Sequence, residues 1–119
     1  MLQKKILQYF LGEIYINEKY ISIKKAIKYL TLSANQNYVH AQHLLGSIYY
    51  FDIFGVKNIN KAINYYTLAA DQNYEYSEYN LGIIYFKINI QKSIYYFIKS
   101  AYHNYSRAQF VLGSFYIIG

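Results

Sequence analysis

The sequence predicts an all-α protein built from consecutive antiparallel helix pairs, three pairs followed by one further helix. The first observation is a Leu-Gly pair with a tyrosine three residues after the glycine, which occurs at Gly12, Gly46, Gly82 and Gly113. The second is a segment that follows the first three copies and reads KKAIKY, NKAINYY and QKSIYYF. The third is the absence of proline, which suits nearly continuous helix. Recurrence over about 30 to 40 residues is typical of stacked repeats.

The recurrences divide the chain into repeats of two helices each. We predict one array over residues 1–119, with repeats at 4–38, 39–74 and 75–105 and a partial repeat at 106–119. The first helix of each repeat carries Leu-Gly, and the second carries the lysine-rich signature. In the second repeat, the first helix is predicted from Val39 to Phe51, because apolar residues recur there at helical spacing.

A glycine inside a helix costs about 1 kcal/mol relative to alanine. The recurrence of glycine at the same position of every repeat therefore indicates that a neighbouring helix packs too closely there for a side chain. Small residues at a shared position of the second helices suit the same close packing. The residues with this expected structural role are Gly12, Gly46, Gly82, Gly113, Ala26, Ala62 and Ser93.

The predicted ends of the second helices also repeat. Ser22, Asn58 and Asn89 lie four residues before the shared small residue, where a side-chain oxygen can cap the helix N-terminus. A second set of asparagines follows each second helix, where the left-handed conformation is expected. These residues are Asn37, Asn73 and Asn104, and a tyrosine that we expect to wedge between repeats follows each of them.

Composition limits the classes of function. The chain has 119 residues, no cysteine and a net charge of +6 that is dispersed along its length. Disulfides and cysteine-based metal sites are therefore excluded, and no apolar run approaches the roughly 20 residues that span a bilayer. The apolar start of the chain is interrupted by Gln8 and Glu13, so we interpret it as structure rather than as a signal peptide. An intracellular location is favoured.

No arrangement of catalytic residues stands out, so we expect no enzymatic activity, no cofactor and no metal. His40 and His43 could act as two metal ligands on one helix. Their spacing does not identify a third ligand, although Asp71, Glu75 or Glu78 could approach from the next repeat. Lysines at one shared position of the second helices could contact phosphates: Lys25, Lys61 and Lys92. They lie away from the predicted aromatic surface, which argues against nucleic-acid binding.

The second repeat carries most of a known consensus. The matching positions are Ala41, Leu45-Gly46, Tyr49, Gly55, Asn58, Lys61-Ala62, Tyr65-Tyr66, Ala69-Ala70 and Asn73. In this pattern the chain resembles the Sel-one-like repeat (SLR), a relative of the tetratricopeptide repeat. The first repeat departs by lacking the loop glycine, and the third has serines in place of alanines. The resemblance implies a right-handed solenoid of helix pairs that acts as an adaptor or scaffold for protein complexes.

The resemblance also implies that the first helices line a concave face. On this basis we predict an aromatic partner-binding surface for a peptide or helix of unknown identity, formed by Tyr9, His43, Tyr50, Tyr79, Phe86 and Phe110. The alternative is that neighbouring repeats cover these side chains.

The last helix has few polar side chains, whereas a terminal repeat normally needs a polar outer face. Phe115, Ile117 and Ile118 are therefore expected to form an exposed end. Either the chain is a fragment of a longer array, or this end meets a partner or a second copy. The alternative functions are accordingly a structural spacer or self-associating module and, with less support, an RNA-binding repeat protein.

Overall fold

A computed structural model describes residues 3–17 and 22–118, and these residues form seven helices and no strand. The all-α prediction is confirmed. The helices are α1 (Lys4–Asn17), α2 (Ile23–Ala34), α3 (Val39–Tyr50), α4 (Ile59–Ala70), α5 (Glu75–Tyr85), α6 (Ile90–Tyr102) and α7 (Ser106–Ile118). Helix α3 ends one residue before the predicted Phe51.

The contacts within the chain group into two compact units, Met1–Leu68 and Ala69–Gly119, and the boundary falls within α4. In the first unit α2 packs against both α1 and α3. In the second unit α6 packs against both α5 and α7. Helices α2 and α6 are thus each held by the first helix of their own repeat and also contact the first helix of the next. Helix α4 places Tyr66 over Gly46 of α3.

Three of the four repeated glycines lie directly beneath a large side chain of the second helix. A Cβ atom at Gly12 would lie 2.6 Å from the side chain of Leu30. Cβ atoms at Gly46 and Gly82 would lie 2.6 and 2.7 Å from the rings of Tyr66 and Phe97. The facing small residues on the second helices, Ala26, Ala62 and Ser93, are fully buried.

Gly113 differs from the other three. A Cβ atom there would meet nothing within 4 Å, because no second helix lies against it among the described residues. The close approach expected at all four glycines is therefore absent at this one.

The helix ends follow the predicted chemistry. The side-chain oxygens of Ser22, Asn58 and Asn89 accept hydrogen bonds from the backbone N–H three residues later, at 3.3, 3.0 and 3.1 Å. These bonds satisfy N–H groups that the first turn of a helix leaves without a partner. Each cap fixes where a second helix begins.

The asparagines after the second helices adopt the left-handed conformation. Asn37, Asn73 and Asn104 have φ values of 63°, 62° and 69°. The N–H groups of each asparagine and of the following tyrosine donate to carbonyls in the last turn of the preceding helix. This pairing is the Schellman arrangement, which stops a helix and turns the chain.

A pair of stacked tyrosines joins the two helices of every complete repeat. The pairs are Tyr15–Tyr29, Tyr49–Tyr65 and Tyr85–Tyr96, with ring centroids 6.0, 6.1 and 5.9 Å apart and nearly parallel planes. The lysine just before the shared small residue lies over the first ring of each pair. Lys25, Lys61 and Lys92 place their Nζ atoms 5.4, 5.2 and 5.1 Å from the ring centroids of Tyr15, Tyr49 and Tyr85.

His43 packs on the core tyrosine of the second repeat. Its ring centroid lies 5.3 Å from that of Tyr66, whose hydroxyl oxygen is 2.8 Å from the Oγ of Ser47. Burial, with a smaller contribution from His40, lowers the pKa of His43 from 6.5 to about 4. The imidazole is therefore neutral at physiological pH.

We expect Gly82→Ala to destabilise the protein. The added methyl group would push on the Phe97 ring, which is buried, and overpacking of this kind costs about 1–3 kcal/mol. That loss exceeds the roughly 1 kcal/mol gained from better helix propensity. The measurement is the free energy of unfolding in urea.

Gly113→Ala is the matched control, because it gives the same gain in helix propensity and its added methyl group has no neighbour within 4 Å. It should leave the stability unchanged or raise it by up to about 1 kcal/mol. Equal stabilities for the two alanine variants would contradict the close-packing explanation.

His43 should make the protein less stable in mild acid. Its folded pKa of about 4 lies below the ordinary value of 6.5, so the folded state favours the neutral ring. This contribution is fully present above pH 6.5 and is lost as the pH falls toward 4. A pKa unit corresponds to about 1.4 kcal/mol, so the loss approaches about 3 kcal/mol.

The measurement is the melting temperature between pH 7.5 and pH 4.5. His43→Phe keeps an aromatic ring against Tyr66 but cannot be protonated. It should show a shallower decline than the unmodified chain, while the carboxylates contribute equally to both. Parallel curves would refute the assignment to His43.

Candidate interaction surface

The predicted partner-binding residues of the first unit each pack on a different neighbour. Tyr9 meets Tyr38 edge to face, with ring centroids 5.3 Å apart. Tyr50 meets Phe51 in the same way at 4.9 Å, and His43 faces the core as described above. All three predicted residues are partly buried. Each of the three therefore contacts a ring within its own unit, and their role in partner binding stays a prediction.

The second unit brings two of the predicted residues to one groove. Tyr79 of α5 and Phe110 of α7 line a cavity of about 570 Å³ together with Ser106, Arg107 and Val111. Arg107, Phe110 and Val111 recur at helical spacing, so they share one face of α7. We call this cavity the α5/α7 groove.

The wall formed by Tyr79 is fixed by its neighbours. Its ring meets Phe97 at 5.5 Å and Tyr105 at 5.1 Å, both edge to face. Tyr105 in turn meets Tyr76 at 4.9 Å. Edge-to-face pairs of this kind contribute about 0.5–1.5 kcal/mol each beyond the buried area. The groove therefore has one rigid aromatic side.

The opposite side of the groove is open to solvent. Phe110 is 76% exposed, which is unusual for a phenylalanine. Arg107 is also exposed, and no carboxylate pairs with it in the part of the chain that the structure describes. The groove thus combines an apolar floor with one unpaired positive charge.

Phe86 lies in a different cluster from Tyr79. Its ring stacks on Phe115 with centroids 6.1 Å apart and an interplanar angle of 11°. Phe115 also meets Phe97 at 6.1 Å and is only partly exposed. Phe115 is therefore only partly exposed, because Phe86 and Phe97 cover one side of its ring, and its place in an exposed end stays a prediction. Ile117 is 87% exposed, and the side chain of Ile118 lies outside the described residues.

One further repeated position was missed from the sequence. Four residues before each glycine, the chain has Gln8, Gln42, Glu78 and Gln109. Two of the glutamines donate from Nε2 to the C-terminal turn of the preceding second helix, Gln42 to the Ala34 carbonyl and Gln109 to the Ala101 carbonyl, both at 3.2 Å. The constant spacing of four residues before each glycine is the sequence signal that could have identified this position.

Glu78 departs from this pattern and is fully buried. Its Oε1 lies 2.7 Å from Nδ1 of His103, and its Oε2 lies 3.7 Å from Nζ of Lys99. Oε2 has no hydrogen bond, since the lysine is beyond hydrogen-bonding distance. The carboxylate therefore joins α5 to α6. Within residues 3–17 and 22–118, no group of three or more His, Asp or Glu side chains could hold a metal ion.

Three equivalent lysines of the second helices lie over the stacked tyrosines. Lys25, Lys61 and Lys92 each lie over a tyrosine ring of their own repeat, where cation–π attraction holds them. The equivalence of these lysines is thus explained by packing within the repeat. No described helix is long and apolar enough to cross a membrane.

The model of the Sel1 repeat family matches residues 7–38, 39–74 and 75–105. No curated protein matches the sequence. Proteins of the Sel1 repeat family generally mediate protein–protein interactions, and the repeat is a non-enzymatic scaffold fold.

Two solved structures are similar to the chain. One is a protective antigen present in uropathogenic Escherichia coli strains, which displays an SLR fold; the TM-score is 0.83 and the identity 26%, over 95% of this chain and 26% of the other. The second is a Sel1 repeat protein from Oxalobacter formigenes, with a TM-score of 0.86 and an identity of 21%, over 92% of this chain and 34% of the other. The chain thus spans about a quarter to a third of the length of these proteins. The three matched segments cover most of the sequence, and the chain belongs to the Sel1 repeat family.

Proposed function

We propose that this protein is a non-catalytic scaffold that binds a short segment of a partner protein in the α5/α7 groove. The observation that carries the proposal is the meeting of Tyr79 and Phe110 in one cavity beside Arg107. A rigid aromatic wall binds at low entropic cost, because Tyr79 is already held by two other rings. The wider role agrees with the protein–protein interactions that the family mediates.

The chemistry of the groove specifies the partner segment. Covering Phe110 would remove a large apolar surface from water, which is worth about 1.5–3 kcal/mol for a complete burial. Arg107 presents a guanidinium that can bind a carboxylate through two parallel hydrogen bonds. The net charge of +6 also attracts acidic partners at long range. We therefore expect a segment with an aromatic or aliphatic side chain next to an aspartate or glutamate.

A second candidate function is a structural or self-associating module. It is favoured by the exposure of Ile117 and Tyr116 on α7. RNA binding has less support, because the equivalent lysines lie over tyrosine rings of their own repeats rather than beside exposed aromatic side chains. A substitution in the groove distinguishes these candidates. It should weaken partner binding if the first candidate is right. Under the other two candidates, it should leave the oligomeric state and RNA binding unchanged.

We expect Phe110→Ala and Arg107→Glu to weaken binding of a selected peptide. The peptide would be obtained by displaying a random library against the unmodified chain and should carry the apolar–acidic pair. Loss of a buried aromatic anchor costs at least about 1–2 kcal/mol, or roughly tenfold in Kd. The change of charge should also reduce the dependence of the affinity on salt. Fluorescence anisotropy measures both effects.

Tyr102→Ala is the matched control, because Tyr102 is an equally exposed aromatic residue of the second unit that lies outside the groove. It should leave the affinity unchanged. Selected peptides that lack acidic residues, or that bind the Phe110→Ala variant as tightly as the unmodified chain, would argue against the proposal.

A further inference from the structure

The loop between the two helices of the second repeat exposes apolar side chains. Within residues 51–58, Phe51 is 60% exposed and Ile53 is 49% exposed. The loop backbone has a defined conformation, because Asp52 adopts a left-handed φ of 54° and its Oδ1 accepts a hydrogen bond of 2.9 Å from the backbone N–H of Lys57. The two apolar side chains therefore lie on an internal loop that joins α3 to α4.

Exposed lysines lie at the same edge of the first unit. Helices α2 and α3 pack against each other across a short turn, so they run in opposite directions and the start of α2 lies beside the end of α3. The start of α4 follows the loop directly. The exposed lysines of these segments are Lys24, Lys25, Lys57 and Lys61. We call these lysines, together with Phe51 and Ile53, the loop edge.

The loop edge has a positive potential. Within residues 22–28 and 51–61 the acidic residue is Asp52, whose carboxylate binds the loop backbone. Neither α2 nor α4 has an acidic residue in its first turn, where a carboxylate is normally favourable. The partial positive charges of two helix N-termini thus add to the charges of the lysines. The edge is therefore electrostatically complementary to an anionic partner.

The second unit repeats the combination on its own loop. Ile88, between α5 and α6, is 66% exposed, and Ile90 at the start of α6 is exposed as well. Lys87 and Lys92 are also exposed, and residues 86–92 contain no acidic residue. Each unit, taken by itself, therefore combines aliphatic side chains with lysines where a first helix gives way to a second.

The apolar side chains decide which anionic partner fits. Single-stranded nucleic acids are bound by rings on which bases stack, whereas Ile53, Ile88 and Ile90 are aliphatic. Apolar side chains next to lysines are typical of protein surfaces that lie in the interface of a bilayer, where anionic lipids attract the lysines. We infer that the loop edge binds the surface of an anionic membrane, with Phe51 and Ile53 inserted between the lipid headgroups. This contact goes beyond the proposed function and uses no residue of the α5/α7 groove.

The test of insertion uses a fluorescent reporter in the loop. The chain has no tryptophan, so Phe51→Trp introduces a single one. Its emission should shift to shorter wavelengths with vesicles of equal parts phosphatidylcholine and phosphatidylserine, but not with pure phosphatidylcholine. Leu32→Trp is the matched control, because Leu32 is an exposed apolar residue near the other end of α2. An unchanged Phe51→Trp spectrum, or an equal shift for Leu32→Trp, would overturn the inference.

Co-sedimentation with the same anionic vesicles measures the affinity. Loss of one lysine charge near an anionic bilayer weakens binding about fivefold, and this loss is expected for Lys24→Gln and for Lys57→Gln. Lys4→Gln is the matched control, because Lys4 begins α1 and lies about 20 Å from the end of that helix. That distance exceeds the Debye length of about 10 Å. Equal losses for all three variants would contradict the assignment to the loop edge.

The substituted side chains are all exposed, and circular dichroism checks that the variants remain folded. Phe110→Ala should bind vesicles normally, which separates a failure of this inference from a failure of the proposed function. Binding of single-stranded RNA that Lys24→Gln and Lys57→Gln weaken, without binding to anionic vesicles, would overturn the inference and assign the loop edge to nucleic acid.

Discussion

Each helix pair depends on one close approach, in which a large side chain of the second helix lies directly over the backbone of a glycine in the first. At Gly46 and Gly82 that side chain is an aromatic ring, and at Gly12 it is a leucine. The contact has two requirements. The first helix needs a position without a side chain, and the second helix needs a side chain large enough to fill the space. The glycine lowers helix propensity, so it is tolerated because the packing contributes more than the helix loses.

The aromatic composition follows from this contact. Once the backbones are close, the tyrosines three residues after each glycine can stack on the tyrosine of the second helix, and a lysine can lie over the stack. Three lysines and three pairs of tyrosine rings are thereby used inside the repeats. These equivalent lysines and stacked tyrosines hold the two helices of a repeat together.

The fold was predictable because its determinants are local and repeated. Spacing alone placed the caps at Ser22, Asn58 and Asn89 and the helix ends at Asn37, Asn73 and Asn104. The candidate site was less predictable, because exposure depends on the neighbouring helix. Equivalent positions hold Tyr9, packed on Tyr38, and Phe110, open to solvent. Arg107 gave no signal by itself, and Glu78 was marked only by its spacing from Gly82. The contacts of both residues depend on side chains brought near by folding.

The chemistry of the α5/α7 groove limits which partner segment the proposed function allows. The α5/α7 groove has a fixed tyrosine on one side and a free guanidinium on the other, so one apolar side chain and one carboxylate can satisfy it. Under the proposed function, specificity in the groove comes from the position of this charge relative to the apolar side chains.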